Sequence, residues 1–196
     1  MDVDSQKVTN IVKGIHDCSV KNAAVDPYFE CLASTGCDSS LHICSIKDLN
    51  NTSIIKKLKV SKTSVTPESP QMLGLAWSPQ DGSYLYAAGD KQLALLKRSD
   101  GFSQSFSSNI VHDKEITIVL SLSTNCLLTA GLDKRIKIWQ TQKADLSDAT
   151  LEHIIEVSQP ITTLKYSAKN QAIAFMDKEC SLGIVHFDLA SIGKFK

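Results

Sequence analysis

The chain has 196 residues, and its 21 lysines and arginines are balanced by 21 aspartates and glutamates. A zero net charge argues against a domain built mainly to hold nucleic acid, because such domains usually carry a basic excess. The 42% of hydrophobic residues is typical of a globular chain, and no apolar run reaches the length of a membrane span. The acidic start Met1–Asp4 predicts no secretory signal.

Six cysteines are spread along the chain, and none forms a C-x-x-C pair. Without a secretory signal, this usage favours reduced, buried thiols over disulfides. The spacing also argues against a zinc site of the usual kind. The cysteines are Cys18, Cys31, Cys37, Cys44, Cys126 and Cys180.

Four segments share one pattern, in which an apolar run leads into a tight turn and then into alternating apolar and polar residues. Such a pattern predicts a β-hairpin. In chain order the segments are Cys31–Cys44, Tyr84–Leu96, Leu127–Trp139 and Ala172–Val185.

The acidic residues that mark these turns recur at a period of about 45 residues, as in repeat proteins. They are Asp38, Asp90, Asp133 and Glu179. A strand-like run precedes each hairpin and another follows the first three, so each repeat holds four strands. No segment shows a helical period. We therefore expect an all-β chain of propeller blades.

The third repeat resembles a WD repeat. In that family a His, a Ser or Thr, an Asp and a Trp form a hydrogen-bonded set inside each well-formed blade. Matched residue by residue, the set here comprises His112, Thr129, Asp133 and Trp139.

The first repeat matches the same family in part, with His16, Ser34 and Asp38 in place but Cys44 where the Trp should be. The second and fourth repeats lack both the His and the Trp. The resemblance implies a WD-repeat propeller fragment of about four blades of four-stranded antiparallel sheets. We expect an open arc cut from a larger ring, with 1–14 as the tail of a preceding blade, then blades at 15–61, 71–107 and 111–158, and an incomplete blade at 160–196.

The hydrogen-bonded set of the third repeat could suggest a catalytic site, since it includes a His, an Asp and a hydroxyl. Because the set belongs to the repeat pattern, we expect its side chains to be buried and to have a structural role. A catalytic nucleophile would instead have to be exposed and activated. His42 should point to the opposite face from its strand neighbours Leu41 and Ile43, which argues against a metal or Cys–His site with Cys37 and Cys44. We expect no enzyme activity, no cofactor and no metal.

Partner contacts are expected at the hairpin turns, because the turns of a propeller reach a face where partners dock. The candidate residues are Asp90, Lys91, Asp113, Lys134, Arg135 and Gln159. A basic run at 56–62 is typical of an edge strand protected by lysines, with nucleic-acid contact as the alternative.

A closer resemblance is carried by several short motifs: Asp26-Pro27, Leu75–Pro79, Lys97-Arg98 and Asp177–Gly183. They are similar to the N-terminal propeller of the WD-repeat and HMG-box DNA-binding family, the chromosome-transmission-fidelity adaptors of the replisome. This implies a nuclear, non-enzymatic scaffold for replisome or chromatin proteins, with no membrane and no small-molecule substrate. A DNA- or chromatin-contacting module and a WD scaffold of another pathway, such as a ubiquitin-ligase or trafficking complex, remain open.

Overall fold

The structure is a computed structural model that describes residues 11, 13–38, 40–47, 53–59, 74–89 and 91–187. These residues form antiparallel strands and a single 3-10 turn at Arg98–Asp100, which confirms the all-β prediction. Within them, no helix is long and apolar enough to cross a membrane. Most of the expected tail at 1–14 lies outside the described residues, and so does the whole segment 188–196.

The first two blades are four-stranded sheets in which each strand pairs with the next along the chain. The strands of the first blade are β1 (Val20–Val25), β2 (Cys31–Gly36), β3 (Ser40–Ser45) and β4 (Ser53–Lys59). The strands of the second blade are β5 (Leu75–Trp77), β6 (Tyr84–Gly89), β7 (Gln92–Lys97) and β8 (Ser103–Val111).

The other two blades repeat this meander, and the fourth shows three strands in the described residues. The strands of the third blade are β9 (Ile116–Ser123), β10 (Cys126–Gly131), β11 (Arg135–Gln140) and β12 (Thr150–Glu156). The strands of the fourth blade are β13 (Ile161–Ser167), β14 (Ala172–Asp177) and β15 (Leu182–His186). Strand β8 runs to Val111, past the expected blade boundary at 107.

Burial along the strands follows from the stacking of the blades. Every residue of β10 is buried, because the third blade has a neighbour on each face of its sheet. In β15 half-buried and exposed positions alternate instead, and Leu182 and Ile184 are exposed. A continuous apolar run therefore marks a strand covered on both faces, and alternation marks a strand covered on one.

Three apolar clusters hold the blades together, one at each contact between neighbouring blades. Leu41 and Ile43 of the first blade pack with Leu85 of the second. Trp77 is buried in the same cluster, and its indole N–H donates to the carbonyl of Ala24, 3.0 Å away.

The first strand of each blade lies innermost. Contacts link β1 to β5, β5 to β9 and β9 to β13. Together these four strands line a cavity of about 300 Å³. The blades are therefore arranged radially around a channel, as in a propeller.

The expected burial of the cysteines is wrong for three of the six, of which Cys18 and Cys37 are half-buried. Cys31, Cys44 and Cys126 are buried, and burial raises the pKa of Cys126 to about 12. Cys180 is exposed at the turn between β14 and β15. All six thiols are free.

Candidate functional site: the turn face and the hydrogen-bonded sets beneath it

The same backbone hydrogen bond recurs in all four blades. In each, an amide at or beside the turn between the second and third strands donates to a carbonyl just before the innermost strand. The pairs are Cys37 to Ser19 (3.1 Å), Ala88 to Gly74 (2.8 Å), Leu132 to Glu115 (2.9 Å) and Lys178 to Pro160 (3.0 Å). These hairpin turns and the loops that enter the innermost strands therefore share one end of the blades, which we call the turn face.

The third blade brings together the four residues predicted from its WD-like pattern. His112 Nδ1 lies 2.9 Å from a carboxylate oxygen of Asp133, and its Nε2 lies 2.8 Å from Thr129 Oγ1. The indole N–H of Trp139 donates to the same Thr129 oxygen over 2.8 Å. A carboxylate can only accept, so the His112 proton sits on Nδ1, and the Thr129 hydroxyl donates to Nε2.

Burial fixes the charge states of this set. It lowers the pKa of His112, whose side chain has no exposed surface, so the imidazole is neutral near pH 7. Burial alone would raise the pKa of Asp133, but hydrogen bonds from His112 and from the amides of Asp113 and Arg135 lower it below its ordinary value. The carboxylate thus holds the turn between β10 and β11 onto the loop before β9. Every polar atom of the set has a partner within the protein, as in a structural site.

Glycine makes room for this set. A β-carbon on Gly131 would lie 2.7 Å from the Glu115 carbonyl oxygen and 3.2 Å from His112 Nδ1. The equivalent Gly36 would bring a β-carbon within 2.6 Å of His16 Nδ1. Our sequence reasoning missed both roles, although a Gly two residues before the turn Asp was visible in the first and third repeats.

The first blade reproduces this set with a looser geometry. His16 Nε2 lies 2.9 Å from Ser34 Oγ, but its Nδ1 is 3.4 Å from Asp38 and 3.1 Å from the hydroxyl of Ser40. The Ser40 hydroxyl in turn donates to Asp38 over 2.7 Å. Partial burial opposes ionisation, yet these hydrogen bonds lower the pKa of Asp38 to about 2.

His42 occupies the β3 position directly opposite Ser34. Its ring is 1% exposed and lies 4.3 Å from the ring of His16, centroid to centroid. Within the part of the chain that the structure describes, neither ring nitrogen of His42 has a hydrogen-bond partner. The sequence argument kept His42 away from Cys37 and Cys44, but it did not foresee this imidazole pair.

The partner-contact candidates on the turn face differ in how tightly they are held. Arg135 is paired with Asp113 over 2.5 Å and with Glu156 over 3.3 Å. Gln159 donates to Glu179 across 2.7 Å. Lys134 and Lys91 are exposed, and neither takes part in an ion pair within the described residues. Asp90 lies outside them.

Lys134 has a φ of 64°, the left-handed region that non-glycine residues rarely adopt. Its carbonyl accepts a hydrogen bond from Val157 over 2.9 Å, which ties the turn to the segment after β12. The Lys134 ammonium is therefore presented at the tip of a fixed turn.

In the fourth blade a different acid organises the turn. Glu179, the expected marker, is exposed, whereas Asp177 is 5% exposed. The Asp177 carboxylate accepts from the amides of Glu179 and Ser181, each over 2.9 Å. The position of the turn was predicted correctly, but its capping carboxylate was not.

Two of the motifs that carried the closer resemblance meet in space. Arg98 Nη1 lies 2.8 Å from the carboxylate of Asp26, whose side chain has no exposed surface, and its Nη2 lies 2.6 Å from Glu30. Asp26 also accepts from the amides of Glu30 and Cys31. This ion pair joins the first and second blades, and no pattern in the sequence indicated that the two motifs were partners.

No family model matches the chain. A search of curated proteins finds COMPASS component SWD3 of Saccharomyces cerevisiae, 26% identical over 110 residues, which is 55% of this chain and 34% of that protein. The chain is therefore similar to that protein over about half of its own length, and the hydrogen-bonded set of the third blade lies within a propeller fold.

Solved structures agree on this fold. A chain in a crystal structure of the mitotic checkpoint complex superposes with a TM-score of 0.66 at 19% identity, over 95% of this chain and 55% of that one. The structure of U3-55K superposes with a TM-score of 0.58 at 14% identity, over 87% of this chain and 53% of that one. The chain thus spans about half of the propellers it matches, and neither comparison indicates a catalytic family.

Proposed function

We propose that these blades are a non-enzymatic scaffold for protein interactions, part of the N-terminal propeller of a nuclear adaptor in DNA replication or chromatin maintenance. The observation that carries the scaffold function is the turn face. Its turns carry exposed Lys134 and Lys91, which form no ion pair within the described residues, and the exposed acidic groups of Asp113 and Glu179. Mixed charge of this kind suits the selection of a partner more than tight affinity.

Absence of reactive chemistry in the repeat sets supports the same function. The sets of the first and third blades use their His, hydroxyl and Asp groups to hold turns together. A nucleophile would need a free, activated group facing a pocket. The exposed loops carried by this rigid framework are where a propeller binds its partners.

Support for the finer role comes from the motif resemblance and from the relatives. Asp26 and Arg98 belong to separate motifs of the replisome-adaptor likeness and form an ion pair between two blades. A COMPASS component and a chain from a mitotic checkpoint complex share the fold, and both are members of protein assemblies. On this basis we place the protein in the nucleus with replisome or chromatin partners.

Affinity purification of the tagged protein from dividing cells tests this proposal. Recovery of replicative helicase or polymerase subunits supports it. Recovery of only membrane-traffic or ubiquitin-ligase components would reassign the scaffold to another pathway. Salt-sensitive retention on DNA without protein partners would replace it with a DNA-contacting module.

A charge-reversal pair locates the binding face. Lys134→Glu combined with Lys91→Glu changes two exposed charges on the turn face. Lys143→Glu is the matched control, because Lys143 is exposed in the loop after β11, at the opposite end of the blade. We expect the double variant to lower partner capture several-fold and to weaken its salt dependence, with the control unchanged. Equal capture by all three folded proteins would exclude this face.

A further inference from the structure

The first blade lacks the indole that closes the set in the third blade. Cys44 stands at the position equivalent to Trp139, and its side chain is buried. Beside the set, at the position where the third blade has Lys137, lies His42. The two blades thus differ in what borders the shared His–hydroxyl–Asp arrangement.

In the first blade three potential metal ligands converge. One ligand atom each from His16, Asp38 and His42 lies within 4.8 Å of the other two. Imidazole nitrogen and carboxylate oxygen are ligands that Zn²⁺ and similar ions accept. For bonds of about 2.0 Å in a tetrahedron, the ligand atoms stand about 3.3 Å apart, so side-chain adjustments alone close the site.

The unpartnered ring of His42 is an independent sign of a ligand. Buried polar atoms nearly always have a partner, and leaving one unpaired costs free energy. Within the described residues both nitrogens of His42 are unpaired, in a side chain that is 1% exposed. A bound cation would supply a partner for the nitrogen that carries the lone pair.

We propose that His16, Asp38 and His42 form a site for a divalent transition-metal ion of the zinc type. His16 binds through Nδ1 and gives up its long contacts to Asp38 and Ser40. Its Nε2 then donates to Ser34, 2.9 Å away, and this hydrogen bond fixes the ring. Water completes the coordination, and Asp38, 24% exposed, opens the site to solvent.

The third blade shows why the site is confined to the first. At the position of His42 it carries Lys137, whose ammonium donates to the Val111 carbonyl over 2.8 Å. A lysine ammonium has no lone pair, and the His112–Asp133 pair is already closed at 2.9 Å. The third blade is therefore an internal negative control.

Calorimetric titration of the 196-residue chain with ZnCl₂ tests the site. We expect one ion per chain, together with a rise in melting temperature that grows with zinc concentration. His42→Leu and Asp38→Asn should each weaken zinc binding at least about tenfold and remove the zinc-dependent shift. The matched control His186→Gln changes an exposed imidazole and should leave both unchanged.

A loss of zinc binding in His42→Leu cannot be attributed to unfolding, because this variant should remain folded. The variant removes two unpaired nitrogens and should melt, without metal, at or above the temperature of the wild-type chain. If zinc does not bind the wild-type chain, or binds a folded His42→Leu variant equally well, His42 is only a packing residue and the metal site is excluded.

Discussion

The third and first blades start from the same His, hydroxyl and Asp but reach different degrees of closure. In the third blade Trp139 completes the set, Asp133 is 3% exposed, and the His–Asp distance is 2.9 Å. In the first blade Cys44 replaces the indole, and the corresponding distance is 3.4 Å. The set that contains the indole is therefore closed and buried, and the set that has Cys44 in its place is looser.

The comparison indicates that the indole of Trp139 supports the His–Asp contact indirectly, through a chain of hydrogen bonds. Trp139 does not touch Asp133 through a hydrogen bond, but it donates to Thr129, which in turn holds His112. In a low-dielectric interior such chains of hydrogen bonds strengthen one another. The first blade lacks the indole hydrogen bond, and its Asp38 accepts a hydrogen bond from Ser40 in addition to its contact with His16.

The largest expected effect comes from removing the turn carboxylate. Asp133→Ala leaves His112 and two backbone amides without their acceptor in a buried site, and should lower the free energy of unfolding by about 1–3 kcal/mol. Asp38→Ala should cost about 1 kcal/mol, because Asp38 is partly exposed and water can replace it. Chemical denaturation of both variants measures the two losses. A larger loss for Asp38→Ala would invert our ranking of the blades.

Removing the hydrogen bond from the Trp139 indole to Thr129 should have an intermediate effect on stability. Trp139→Phe keeps an aromatic ring but deletes the donor to Thr129, and should cost about 1 kcal/mol. Cys44→Ala is the matched change in the first blade and deletes no hydrogen bond of its set. Thermal melts compare the variants. If Trp139→Phe melts like the wild-type chain, the indole is a packing residue rather than part of the hydrogen-bonded set.

Replacing Lys137 and His42, the side chains that border the two sets, should change the free energy of unfolding in opposite directions. Lys137→Leu removes the hydrogen bond to Val111 and should cost about 1 kcal/mol. His42→Leu, in metal-free buffer, should be neutral or stabilising by about 0.5 kcal/mol, since it removes unpaired atoms. Urea unfolding distinguishes them. A destabilised His42→Leu variant would mean that the imidazole has a partner in solution.

The dependence of stability on pH should report on His112 and Asp38 separately. The folded pKa of His112 lies below 6.5, so the unfolded chain binds a proton first, and stability is lost as the pH falls from 6.5 through the folded value. The pKa of Asp38 falls from 3.8 to about 2 on folding, so its contribution is present above 3.8 and is lost between these values.

The free energy of unfolding, measured at a series of pH values, separates the two steps. Asp38→Asn should flatten only the lower one. A curve that is flat from pH 7 to pH 5 would show that the buried histidines do not contribute as described.

The period of the hairpins and the third-blade set could be read from the sequence, because tight turns and strand alternation leave local signals. The pairing of Asp26 with Arg98 could not, since it depends on how two blades stack. The contact between His42 and His16 was hidden for the same reason, as it joins a strand to a loop before the first strand. Local patterns predicted the blades, and the contacts between distant segments required the structure.

Nuclear magnetic resonance of the imidazole nitrogens tests the central claim, that His112 is a buried structural link. We predict a neutral ring with its proton on Nδ1, protected from exchange, and a pKa below 6.5. Trp139→Phe should speed the exchange of that proton, while Cys44→Ala should leave it unchanged. A His112 ring that titrates at or above 6.5, or exchanges its proton as fast as exposed His186, would contradict the account.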